Sequence, residues 1–251
     1  MTPQALQRFI VRMLFDPDLV DRVYDGATVP TLDEHSRSLL VRADRRAWKV
    51  DPYRRTRALT ALIEEFPASA AQAGVPRLDA FFSSDHFHTT CQERGSMALS
   101  FGQWIEALAG PIARLESALA RVRRPQPMTV AGVGLAPSAA LASLPAGVLD
   151  QYQALRAQLG ENPVHALVEG RVRPVALPKS ESIQRVLVFA QPNGDISLTM
   201  ASDTLAELLL AADPAVDRQT LRAKARDLGA DPGEEDEIID DLIADGLLVA
   251  I

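Results

Sequence analysis

The apolar residues of this chain change their repeat partway along it, and that change limits the fold more than any other feature. Up to residue 124 they recur at helical spacing, whereas between 185 and 200 they alternate with polar residues at the period of a strand. Leu6, Phe9, Ile10, Met13 and Leu14 fall on one face of a first helix, which Asp16-Pro17-Asp18 ends. Leu19, Val20, Val23 and Tyr24 predict a short second helix closed by Gly26, and Leu39, Leu40 and Ala43 a third. Asp51 as N-cap with Pro52 at the first helical position starts a fourth, which carries Leu59, Leu62, Ile63 and Phe66 and stops at Pro67. Further helices are expected near 77–94, 100–109 and 111–123, the last with Ile112, Leu115, Leu119 and Val122 on one face. Residues 1–124 thus read as an all-helical N-terminal bundle.

The composition then shifts. Pro125, Pro127, Pro137, Pro145, Gly132, Gly134 and Gly147 crowd residues 125–147, and residues 125–170 read as a linker with one short helix near 148–159. Within the linker Val130, Val133 and Leu135 alternate like a short strand. From 171 onward Val172, Val175 and Leu177 predict a weak strand, and Arg185–Ala190 a strong one. Pro192-Asn193-Gly194-Asp195 forms a turn into the alternating Ile196, Leu198 and Met200, since Asn-Gly is the strongest short hairpin signal. Helices over 202–212, 217–228 and 232–245 follow, and Leu247–Ile251 closes the chain in extended form. The expected class is α+β, mostly α. Its second domain, 171–251, is a winged-helix-like module of three strands followed by three helices.

Composition removes several functions. Of 251 residues 47% are apolar, enough to bury a core, while only 5% are aromatic, and the prevalence of Ala and Leu favours helices. A net charge of −7 opposes general binding to nucleic acid or anionic membranes. Cys91 is the single cysteine, so neither an internal disulfide nor a cysteine-built zinc site can form. No apolar stretch spans a bilayer free of Pro, Gly or charge. The apolar run from Phe9 to Phe15 is broken by Arg12, followed by Asp16-Pro17, and lacks a small-residue cleavage site. These features predict a cytoplasmic protein.

Catalytic constellations are hard to assemble. Asp85-His86-Phe87-His88 with Cys91 is the one cluster with metal-binding residue types, yet on a helix only His88 and Cys91 converge, and two ligands do not make a zinc site. His35 and His165 stand apart. Gly132-Val133-Gly134 lacks the rest of a dinucleotide fingerprint, and the serines carry no Gly-x-Ser-x-Gly context. The block Arg42, Arg45, Arg46, Lys49, Arg54, Arg55, Arg57 reads first as a solvated surface balancing Asp51, Glu64 and Glu65, and second as a docking face for an acidic partner.

Winged helices usually meet DNA through their third helix. Here that helix, 231–245, carries eight acidic residues and no Lys or Arg. Phosphates would repel it. A peptide is the better ligand for such a module.

One stretch resembles a known family. Tyr53-Arg54, Leu62-Ile-Glu-Glu-Phe-Pro67, Gly74, Leu78-Asp-Ala-Phe-Phe82 and Ser96-Met-Ala-Leu-Ser-Phe-Gly-Gln-Trp104 are similar to the helical domain of partner proteins of multinuclear non-heme iron-dependent oxidative enzymes, a domain once labelled DNA-binding. The C-terminal half resembles that family in layout only. The resemblance implies a RiPP biosynthesis role of the methanobactin or thiaglutamate type. The chain would be a non-catalytic subunit without cofactor that holds the leader of a ribosomal precursor peptide and presents it to an iron enzyme. An extended leader would add to the strand Asp195, Ile196, Ser197, Leu198, Thr199 and Met200, with Glu234, Glu235, Ile238, Asp241, Leu242 and Asp245 of the last helix as its wall. In this reading Ile196, Leu198 and Met200 pack into the domain core and several of the acids point outward toward basic leader residues. The alternative is a DNA-binding regulator acting through the basic N-terminal block. With four scattered histidines and one cysteine, the purified chain alone is expected to retain no stoichiometric iron after chelation, which metal analysis checks.

Overall fold

The computed structural model describes residues 1–49, 51, 53–125, 131–176, 180–191 and 193–250. Pro52, Val130, Leu177, Pro192 and Ile251, on which parts of the expected pattern rest, lie outside the described residues. The chain is mostly helical with a small complement of antiparallel strands, an α+β protein. The helices α1 Pro3–Phe15, α2 Pro17–Tyr24, α3 Glu34–Leu40, α4 Tyr53–Glu65, α5 Pro67–Ala73, α6 Val75–Leu78, α7 Asp85–Glu93, α8 Met97–Ala109 and α9 Pro111–Val122 come first. Then follow β1 Val133–Leu135, β2 Ala139–Pro145, α10 Val148–Leu159, α11 Pro163–Val168, β3 Ile183–Ala190 and β4 Ile196–Ala201. The chain ends with α12 Asp203–Ala211, α13 Arg218–Asp227, α14 Glu235–Ala244 and β5 Leu248–Ala250.

Two compact units result. One comprises Met1–Ala109 with Leu155–Pro174, the other Gly110–Ala154 with Val175–Ile251. This division differs from the expected boundary at 124, because α9 packs on β2 and β3 of the second unit. Its apolar stripe of Ile112, Leu115 and Leu119 needs a flat partner, and Arg114 Nη1 donates to the Ser143 carbonyl at 3.1 Å.

In the first unit, capping sets the helix starts. Thr2, Asp16, Asp33 and Ser84 each accept from a backbone N–H in the first turn of their helix. Pro67 does more than stop α4. It opens α5 from the first position, where its missing N–H costs nothing. Two centres of the core stand out among the described residues. Phe9, Met13, Leu19, Val20, Val23, Val29 and Leu40 form one. Phe81 forms the other, with ring centroids 5.1 Å from Phe101, 5.5 Å from Phe87, 5.6 Å from Phe82 and 5.6 Å from Trp104. Edge-to-face packing of this kind adds to the area term. Phe66, Phe81, Phe82 and Phe101 of the family-like motifs therefore lie in the core, whereas Tyr53 is exposed. Asn162, accepting from the His165 N–H at 3.0 Å, and Pro163 start α11, a helix that the spacing of apolar residues did not predict.

In the second unit the sheet order is β2-β3-β4, all antiparallel. The expected strand at Val172 and Val175 does not form, and the third strand of the sheet is β2, from the linker. Its sequence, Ala139-Ala-Leu-Ala-Ser-Leu-Pro145, has low strand propensity and was hidden for that reason. Packing explains it. Both faces are covered, and small side chains let α9 approach. Ala140, Ala142, Leu144, Val186 and Val188 are buried on the face toward α9, while Ala139, Leu141, Leu187 and Phe189 join Leu208, Leu209, Leu221, Ile239 and Leu242 of α12–α14 on the other.

Strands β1 and β5 pair separately, Val133 opposite Ala250 and Leu135 opposite Leu248. Beside them Val133 exchanges hydrogen bonds with Val216, N–H to O 2.7 Å and O to N–H 3.0 Å. Gly132 permits this closeness. Its φ is +134°, and a Cβ there would lie 2.4 Å from the Val216 carbonyl oxygen. Gly132→Ala is therefore expected to destabilise the chain by more than ~1 kcal/mol, measured as a lowered denaturation midpoint at unchanged m-value.

Candidate functional site

The hairpin β3–β4 holds the strand half of the expected peptide site. The Asn193-Gly194 turn is locked locally. Asp195 N–H donates to Asn193 Oδ1 at 3.0 Å, and Asn193 Nδ2 donates to Asp195 Oδ2 at 2.8 Å. Gln191 N–H donates to the Asp195 carbonyl at 2.7 Å. That bond fixes the alternation of the ladder. Opposite pairs Phe189–Ser197, Leu187–Thr199 and Arg185–Ala201 face each other's hydrogen-bonding groups, so the N–H and C=O of Ile196, Leu198 and Met200 point to the free side. Strand β4 is the sheet's edge. Its outward donors are thus those of the even-numbered residues, and the N–H of Ser197 belongs to the hairpin.

The side chains of these residues depart from expectation. Ile196, Leu198 and Met200 do not enter the core under α12–α14. They lie across from Ala190, Val188 and Val186, on the opposite face of the sheet. That face is covered by α9 at β2 and β3 but open at the edge, so Ile196 and Leu198 are half-buried and Met200 is 51% exposed. Register puts the polar Ser197 and Thr199 on the side of the main core instead, where Ser197 is half-buried and Thr199 exposed on the outer strand.

The helix half differs as well. Ile239 and Leu242 are buried and Ile238 and Ile243 half-buried, as expected of an inward stripe. Glu235, however, is only 1% exposed. Its Oε1 accepts from Arg226 Nε at 2.8 Å and Nη2 at 2.6 Å, and its Oε2 from the Gly233 N–H at 2.8 Å. It is a structural clamp at the start of α14 and offers nothing to a leader. Asp236 and Asp240 are also engaged. Arg218 reaches Asp236 at 2.9 Å and Asp240 at 2.7 Å, and Arg222 reaches Asp236 at 3.2 Å. Much of the acidity in α14 therefore neutralises the basic α13. Glu234, Glu237, Asp241 and Asp245 remain exposed and without an ion pair among the described residues.

The two halves are not brought into one groove. Helix α14 has α13 and β5 as its main neighbours, while β4 has β3. Glu234 and Ile238 instead border a cavity of about 290 Å³ with Leu208, Leu228 and Asp231. Sequence periodicity marked Ile238 as inward and could not show that its neighbours would leave a hollow there.

The His/Cys cluster folds into the first unit. Arg12 Nη2 lies 3.0 Å from His88 Nδ1; since an arginine can only donate, His88 accepts there. Burial first, and then the Arg12 charge, lowers the His88 pKa, so the ring stays neutral at physiological pH. Burial pushes the Cys91 thiol up, opposite to what a reactive thiolate needs. Among the described residues no three His, Cys, Asp or Glu side chains are placed to hold a metal ion, and no helix is long and apolar enough to cross a membrane. The basic block is largely paired within the chain: Arg45 with Asp21 and Asp25, Arg55 with Asp79, Arg54 and Arg57 with Asp51. Only Arg42 and Arg46 of the arginines in that block lack an ion pair among the described residues. No protein-family model matches the chain, and no curated protein matches it significantly.

Three favourable contacts hold the Glu235 carboxyl down from 4.5 to about 2, its own backbone N–H first, then Arg226, then the Gly233 N–H. Between those values the unfolded chain binds the extra proton, so stability rises with pH, and the contribution is lost as the pH falls through about 2. In Glu235→Gln the slope of unfolding free energy against pH is expected to be shallower across this window, measured by denaturant titrations at a series of pH values.

Proposed function

We propose that the chain is a non-catalytic subunit that holds the leader of a ribosomal precursor peptide and presents it to a multinuclear non-heme iron oxidative enzyme, with its second unit acting as a winged-helix-like recognition module. The observation that carries this reading is the open edge of β4. Ile196, Leu198 and Met200 offer outward backbone groups and incompletely covered apolar side chains along one line. An extended peptide pairing there would gain backbone hydrogen bonds from the edge and apolar contacts from the same three residues. Ordering the leader costs ~2–5 kcal/mol, which keeps affinity modest. Of the acids in the expected leader wall only Glu235 is withdrawn by a pair with α13, and Glu234, Asp241 and Asp245 stay exposed. The pairing of most of the N-terminal arginines weighs against the DNA-binding alternative, because phosphate contacts need free cations.

The test compares two prolines on the edge strand. Leu198→Pro removes an outward N–H and is tolerated by an edge, whereas Ser197→Pro removes a ladder bond. With an iron enzyme and a precursor encoded beside this chain, Leu198→Pro is expected to keep its circular dichroism and to lose leader binding at least several-fold by fluorescence anisotropy. Ser197→Pro is expected to unfold more easily. A folded Leu198→Pro that binds leader like the wild type, or an enzyme that modifies the precursor fully without this chain and elutes apart from it, overturns the reading.

A further inference from the structure

Helix α1 carries two arginines one turn apart, Arg8 and Arg12, on one side. Like charges at this spacing repel unless something between them is negative. Arg12 is only 9% exposed, an unusual place for a guanidinium. One of its nitrogens donates to His88, a neutral ring, and its buried Nε has no partner. The Nε of Arg8 is likewise buried and unpartnered. Among the described residues no carboxylate lies within ion-pair distance of either side chain.

The acids nearby are occupied. Asp16 accepts from the Leu19 N–H at 3.1 Å as the cap of α2, and Asp33 is held by the Met1 ammonium and by the Ser36 N–H at 2.7 Å. A buried cation without its counter-charge is costly. Burial accordingly pushes the Arg12 guanidinium below its ordinary value, with Asp16 opposing. Beside the two arginines is a cavity of about 610 Å³, walled by Ala5, Phe9 and Leu32 and bordered by Gln92 and by the Met1–Asp33 pair.

We propose that this cavity binds an organic carboxylate with an apolar body. The guanidiniums of Arg8 and Arg12 both border the cavity, and the anion supplies the counter-charge that no carboxylate within ion-pair distance gives them. A phosphoryl group would bring a second negative charge to a cavity that the Asp33 carboxylate also borders. The apolar walls and the size, within the ~300–1,000 Å³ of small-molecule sites, call for more than a bare anion. This site lies in the first unit and is independent of the leader reading for β4.

The probe is 4-phenylbutyrate, titrated calorimetrically into the full chain beside its amide, acetate and inorganic phosphate. The expected result is one saturable site for phenylbutyrate, with the amide, acetate and phosphate each at least tenfold weaker. Arg8→Gln, at a partly exposed position, is expected to keep its circular dichroism and weaken phenylbutyrate at least tenfold. Ala5→Phe, which fills the cavity from the same helix, is expected to abolish binding. Absence of saturable phenylbutyrate binding to the wild type, equal binding of the amide or of phosphate, or undiminished binding by a folded Arg8→Gln each overturns the proposal.

Discussion

Strand β3 is the member on which the second unit depends, because it is paired on both edges and covered on both faces. Its even-numbered residues bond toward β2 and its odd-numbered ones toward β4, as the Ala190 N–H to Ser138 and Gln191 N–H to Asp195 contacts show. Val186, Leu187 and Val188 are each at most 2% exposed. Such a strand anchors α9 on one side and α12–α14 on the other.

Charge is arranged differently from its distribution along the sequence. The acidic α14 and the basic α13 look like separate surfaces when read in order, yet Arg218, Arg222 and Arg226 meet Asp236, Asp240 and Glu235 in pairs. The exposed pairs of Asp236 and Asp240 contribute little each, roughly 0–1 kcal/mol, whereas Glu235 is buried. Their main effect is to neutralise α13, while Glu237 and Asp241 of α14 stay without an ion pair among the described residues. The same holds for Arg45, Arg55 and Arg57 of the N-terminal block, each tied to an aspartate. What remains unpaired then carries more meaning, and the two arginines of α1 stand out because they are unpaired where water is scarce.

Much of the helical half was legible. Phe9 and Met13, Leu62 and Ile63, and Ile112 with Leu115 were read as inward from spacing alone and are buried. Helix periodicity survives because an amphipathic stripe must face something apolar whatever that partner is. The hairpin was equally plain, since Asn193-Gly194 is a local device. The strand β2 was not legible. Alanines favour helices in isolation, and only the close approach of α9 makes small residues suitable there. Alternation tells that Ile196, Leu198 and Met200 share a face and not which one, because both faces of this sheet carry cover.

Local chemistry therefore determined by sequence alone the helices α1, α2, α4 and α9, the turn at 193–195 and the inward stripe of α14, whereas the helix expected near 77–94 is broken at 79–84. These depend on groups within a few residues of each other, whose geometry the backbone itself sets. Only tertiary structure decided that α9 belongs with the sheet, that Glu235 is a buried clamp, and that Arg8 and Arg12 border a cavity without a counter-ion. Each of those depends on what a side chain meets across a long separation in sequence, and on whether the meeting partner leaves space or charge unsatisfied.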